Sequence, residues 1–232
     1  MFFASVLRDF FSEKLVDFHQ KTSHSNRIEI LSNLLALEIK NLAEGEDRFS
    51  CLDIGCGDMN LAELIHGSLP STQWQCIDLY QLSQEQENEE RWKKYSTFNG
   101  CDIPFDDKRF KVALLCDVLH HAGANMAGLL KEATRVADYI VIKDHFEYGT
   151  VSRQLLRLMD FIGNWGYGVN IPSRYFTPMG FEELYKQQHL TLVKSIVGIH
   201  LYDHLPIIRW LTRPKWQFIV VLKSNMNPIV DN

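Results

Sequence analysis

A chain of 232 residues, 46% hydrophobic and 23% charged, is long enough to bury a sizeable core and has the balance of a globular domain. A formal net charge of −5 leaves no basic excess to neutralise phosphates, which argues against a nucleic-acid partner. Five cysteines with no C-x-x-C pair read as reduced thiols of a cytoplasmic protein, and no run approaches the roughly 18 apolar residues of a membrane span.

In chain order, residues 2–18 place Phe3, Val6, Leu7, Phe10 and Phe11 at helical spacing. Ile28, Leu31, Leu35, Ile39 and Leu42 repeat the pattern in a second helix. Both are expected to pack on the domain. A lid role over a cleft is a further expectation, with Arg27 placed to reach an anionic group.

From Phe49 the chain alternates strand and helix. Strands are expected at 49–55, 73–79, 96–100, 110–116 and 139–143, and helices at 61–65, 83–94 and 125–136. The run from Phe110 to Cys116 is apolar almost throughout, as in a strand covered on both faces. This alternation indicates a parallel α/β sheet with helices on both sides. A helix at 151–162 and a loop rich in glycine and aromatic residues follow. Thr177-Pro178 then opens a helix that runs to about residue 188. Strands at 190–199 and 216–223 close the chain. The whole reads as one domain. Residues 1–48 supply N-terminal helices, 49–145 the ligand-binding core, 146–189 an insertion and helix on the substrate side, and 190–232 the closing strands.

The most informative stretch is Asp53-Ile54-Gly55-Cys56-Gly57, where the first strand ends in a tight glycine turn. Without a Cβ, Gly55 and Gly57 let the backbone lie against a ligand. Asp78 ends the second strand 21 residues after Gly57, where an acid is placed to take ribose hydroxyls. Position 60 is Asn60, where a dinucleotide-type G-x-G-x-x-G turn would need a small residue, and no Lys-Ser/Thr pair follows for phosphate.

With Asp102-Ile103 and Cys116-Asp117-Val118-Leu119-His120-His121, these motifs resemble the class I S-adenosylmethionine-dependent methyltransferases, in particular the small-molecule, type 11-like group. The resemblance covers roughly residues 45–150 and implies a Rossmann-like, mostly parallel seven-stranded sheet. It also implies S-adenosylmethionine as cofactor and a small-molecule acceptor, aromatic or amphipathic. Asp53, Gly55, Cys56 and Gly57 would lie by the methionine part, Asp78 at the ribose, and Leu79 against the adenine. Asp102 would bond the adenine amino group with Ile103 on its ring, and Cys116 and Asp117 would border the sulfonium. One departure is Met59, where the family commonly has a third glycine.

Methyl transfer from a sulfonium is an in-line displacement, and a hydroxyl acceptor also needs a base. His121 and His145, with His120 behind them, are the candidates on the carboxyl rim of the sheet. His120 and His121 are read as adjacent strand-end residues facing opposite ways, so no metal site is expected from them with Asp117. The acceptor pocket is expected to draw on Tyr148, Arg153, Asp160, Asn164, Trp165, Tyr167, Tyr175, His200, Tyr202 and His204. The competing functions are an NAD(P)-dependent oxidoreductase on a similar sheet and a binding module that has lost catalysis.

Overall fold

A computed structural model describes residues 25–163, 171–204, 209 and 211–225. The expected helix at 2–18 and the pocket candidates Asn164, Trp165 and Tyr167 lie outside the described residues.

Helix α1 (Ser25–Asn41) buries Leu31, Leu35 and Ile39, whose four-residue spacing stacks them on one face. Strand β1 (Phe49–Ile54), helix α2 (Asn60–Ser68) and strand β2 (Thr72–Asp78) follow. The helix expected over 83–94 is instead a four-residue α3 (Gln84–Glu87) and a separate 3-10 turn (Glu90–Lys94). Ser83 and Gln86 form a reciprocal cap that starts α3, but α3 buries no residue. With no apolar stripe, and with Glu85 and Glu89 four apart, nothing carries the helix onward.

Strands β3 (Tyr95–Thr97) and β4 (Phe110–Cys116) lead to helix α4 (Met126–Val136) and strand β5 (Ala137–His145). Then come α5 (Thr150–Gly163), α6 (Pro178–Gln187), β6 (Leu190–Val197) and β7 (Gln217–Ser224). The Thr177 hydroxyl caps α6 by accepting from the Gly180 N–H at 3.1 Å, with Pro178 in the first turn. Among the described residues, no helix is long and apolar enough to cross a membrane.

The seven strands lie in the order β3-β2-β1-β4-β5-β7-β6. The first five pair in parallel, and β7 runs antiparallel between β5 and β6. Alternate residues of each inner strand serve two cores. Val112 and Leu114 of β4 join Leu35 and Ile65 under α1 and α2, while Ala113 and Leu115 join Leu130 and Phe181 under α4 and α6. Because β1 lies between β2 and β4, the chain crosses from one side of β1 to the other after β3. That reversal opens a crevice at the carboxyl ends of β1 and β4.

Candidate active site

The first half of the site is the turn after β1. Gly55 and Gly57 have φ of +73° and +53°, in the left-handed region. A Cβ on Gly55 would stand 2.5 Å from a Val118 methyl carbon, so packing excludes any side chain there. A Cβ on Gly57 would meet nothing within 4 Å, so the turn is open on that side. Met59 also has a positive φ, +61°, which is why a glycine suits this position. Its side chain turns away from the turn and is fully buried in the core.

Asp53 is buried beneath the turn, and its Oδ2 has no hydrogen-bond partner. Burial first, then the neighbouring carboxylates Asp78 and Asp58, push its carboxyl up to about 7. Asp78 accepts from the Gly57 N–H at 2.8 Å and from the Leu79 N–H at 2.6 Å, so it also holds the turn in shape. Leu79 is exposed and lies against Gly100. The Asn99 side chain shapes the neighbouring loop, donating to Asp102 Oδ2 at 2.8 Å and accepting from the Cys101 and Asp102 N–H groups. Ile103 is buried in the core, and its N–H donates to Glu132. The Cys56 thiol also faces the core, leaving its backbone to the turn.

The second half is a buried charge network at the ends of β4 and β5. Asp117 has a left-handed φ of +57° and accepts from Arg27 of α1 and from Lys143 of β5, whose side chain is fully buried. Burial would raise the Asp117 carboxyl, but Lys143 and Arg27 outweigh it and hold it well below the usual range. Nδ1 of His145 is 3.3 Å from Asp117. Burial and the Lys143 ammonium hold the His145 imidazole below its ordinary value, hence neutral at neutral pH.

His120 and His121 do not continue the strand. They sit in a 3-10 turn (Leu119–His121) that brings their rings side by side, with centroids 4.0 Å apart. The expectation that they face opposite ways is therefore corrected, because the alternation of a strand does not apply to a turn. Asp144 accepts from His120 Nδ1 at 2.7 Å and from the backbone N–H groups of His120 and His145. The other nitrogen, Nε2, stands 3.3 Å from Asp160 Oδ2, which accepts from the Tyr175 hydroxyl at 2.6 Å. Burial would lower the His120 imidazole, yet Asp144 and Asp160 push it up to about 10. Sequence reasoning did not single out Asp144 and Lys143. The signal was present as Lys143 and Asp144 directly after the apolar run Tyr139–Ile142.

Residues 52–138 match the family model of a methyltransferase domain. The chain has the fold of solved S-adenosylmethionine-dependent methyltransferases. Its fold is similar to that of a Galdieria sulphuraria protein assigned as a sarcosine dimethylglycine methyltransferase. That pair is 14% identical over 84% of this chain and 85% of the other, with a TM-score of 0.61. An S-adenosylmethionine-dependent methyltransferase from Methanosarcina mazei is 15% identical over 82% and 98%, with a TM-score of 0.58. The [4+2]-cyclase SpnF shares the fold at 13% identity over 83% and 81%, with a TM-score of 0.53. A comparison with curated protein sequences gives no match.

S-adenosylmethionine is the cofactor of solved methyltransferases that share this fold. The residues present fit it, since the open face of Gly57 leaves room for a ligand and the buried, unpartnered Asp53 oxygen would be relieved by a positively charged one. Of the expected acceptor-pocket residues, Asp160, Tyr175 and Tyr202 gather around the rim network, Tyr202 against Arg27. Arg153 instead pairs with Glu147, His200 pairs with Asp203 at the surface, Tyr148 lies under Lys215, and His204 is exposed. A cleft of about 500 Å³ opens beside His120 and Tyr175, with Met126, Glu147, Arg174 and Glu183 in its walls. The cofactor candidates line none of it.

Proposed function

We propose that this domain methylates a small-molecule acceptor by in-line displacement, with His145 taking the acceptor's proton. When bound, S-adenosylmethionine supplies a methyl group already activated on a sulfonium. The chain's work is then alignment, exclusion of water and the handling of one proton. Gly55, Cys56 and Gly57 would run beneath the methionine part, and Asp53 would offset its charge. Asp78 would take the ribose hydroxyls with the lone pairs its two backbone bonds leave over. Leu79 and Ile103 would flank the adenine, with Asp102 at its amino group, and Cys116 and Asp117 would border the reacting methyl.

The observation that carries this reading is the approach of His145 to Asp117, 3.3 Å apart. It sets a neutral imidazole against Asp117, which would border the reacting methyl. The Asp144 carboxylate fixes the His145 backbone at 2.7 Å. The Asp117 carboxylate would stabilise the imidazolium formed when the proton is taken. His120, kept cationic by its two acids, is the poorer base of the pair. A small acceptor is favoured by the modest cleft beside His120 and by the negative net charge.

The test is a screen of phenols, hydroxy acids and amines for release of S-adenosylhomocysteine. With an acceptor in hand, His145→Gln should lower turnover by about 10²–10⁴-fold while S-adenosylhomocysteine affinity stays within about threefold. Unchanged turnover removes His145 as the base. Tight cofactor binding with no turnover across the screen supports a binding module instead, and preferential binding of NAD supports the oxidoreductase.

A further inference from the structure

We propose that His120, His121 and Asp160 bind a divalent transition-metal ion on the rim of the sheet. Only the use of that ion, and not its binding, rests on the methyltransferase reading. Each of the three offers a ligand atom, and these atoms lie within 4.8 Å of one another, close to the span of one ion's coordination sphere at bonds of about 2.0–2.2 Å. The 3.3 Å between His120 Nε2 and Asp160 Oδ2 equals the edge of a tetrahedron with metal–ligand bonds of about 2.0 Å.

A second observation is independent of that spacing. His120 is 3% exposed, and its Nε2 makes no aligned hydrogen bond, its nearest acceptor being Asp160 Oδ2 at 3.3 Å. A metal ion bound here takes the place of the Nε2 proton, which is released to solvent. Its orientation is fixed from behind. Asp144 accepts from Nδ1 at 2.7 Å, the carboxylate–histidine arrangement that aims the far nitrogen of a metal-binding imidazole. The Tyr175 hydroxyl steadies Asp160 in the same way. Two carboxylates, Asp144 and Asp160, face this one buried ring, so a dication is well compensated.

A second possible cluster, His120, Asp144 and His145, is less suited to an ion. The Asp144 oxygens already accept from His120 Nδ1 and from two backbone N–H groups. Two imidazoles and one carboxylate select zinc, iron(II), cobalt(II) or manganese(II) over magnesium or calcium. Three protein ligands also leave a coordination position for water or for an acceptor oxygen, as in catalytic rather than structural sites. At this rim the ion would hold an oxygen-bearing acceptor and make its proton easier to remove.

The experiment strips the full chain with a chelator and titrates cobalt(II), following its visible absorption, with zinc(II) calorimetry alongside. One equivalent should bind, and Asp160→Asn and His121→Ala should each weaken binding at least about tenfold. S-adenosylhomocysteine binding reports whether each variant is folded, and half-buried His121 decides the matter if Asp160→Asn does not fold. Absence of stoichiometric binding to the wild type, or equal binding by wild type and variants, overturns the proposal. A wild type that binds cobalt but not S-adenosylhomocysteine sinks the methyltransferase reading alone.

Discussion

At Asp53 a carboxylate lies buried with one oxygen unpartnered, and Asp78 and Asp58 add repulsion. Its folded value of about 7 stands above the ordinary 3.8, so the folded protein holds this proton more tightly than the unfolded chain. The stability tied to it is complete below about pH 4 and drains away as pH rises through 7. A shift of this size corresponds to a cost on the order of 4 kcal/mol by pH 8. Asp53→Asn is therefore expected to raise the melting temperature at pH 8 and to leave it nearly unchanged near pH 4, while weakening cofactor binding. A melting temperature that falls at both pH values would show that the charged form is not strained. The Asp78 carboxylate is engaged by two N–H groups of the turn. From sequence it reads as a ligand residue alone, and its part in holding the turn became visible only with the hydrogen bonds.

Among the elements, the network of Arg27, Asp117 and Lys143 ties α1 to the ends of β4 and β5. The Lys143 side chain is fully buried, so removing its partner leaves an uncompensated ammonium in the interior. Asp117→Ala should cost about 3–5 kcal/mol in urea unfolding. Arg27→Met should cost only about 1 kcal/mol, since Arg27 is partly exposed and Lys143 still pairs with Asp117. The opposite ranking would mean that Lys143 finds another partner. Element boundaries were legible wherever an apolar period was clean, as in α1 and β4. They were not legible where charge repulsion or pairing decided. Helix α3 stops early for want of a buried face, and β5 extends to nine residues because β4 and β7 flank it along most of its length.

For the whole molecule, the crevice at the chain reversal should make the fold respond to its cofactor. At 100 times its dissociation constant, S-adenosylhomocysteine stabilises the folded state by about 2.7 kcal/mol. For a domain of this size that is a rise of roughly 5–10 °C in melting temperature. NAD at the same concentration should give no rise. Equal shifts for both ligands would point to a generic nucleotide crevice.

What the amino-acid order determined by itself was the sequence of strands and helices, the glycine turn and the acid at the end of β2. These are local matters, set by side-chain period and by backbone freedom at Gly55 and Gly57. Long-range assembly decided the rest. Asp117 and Lys143 are 26 residues apart, and Asp117 and Arg27 are 90 apart, so their meeting depends on the order of strands in the sheet. His120 meets Asp160 only because α5 packs back over the turn after β4. Burial then separates the histidines. His120, between two acids, keeps its charge, and His145, beside Lys143, sheds it. No local pattern encodes that difference, since protonation depends on the charges that folding brings near and the water it removes.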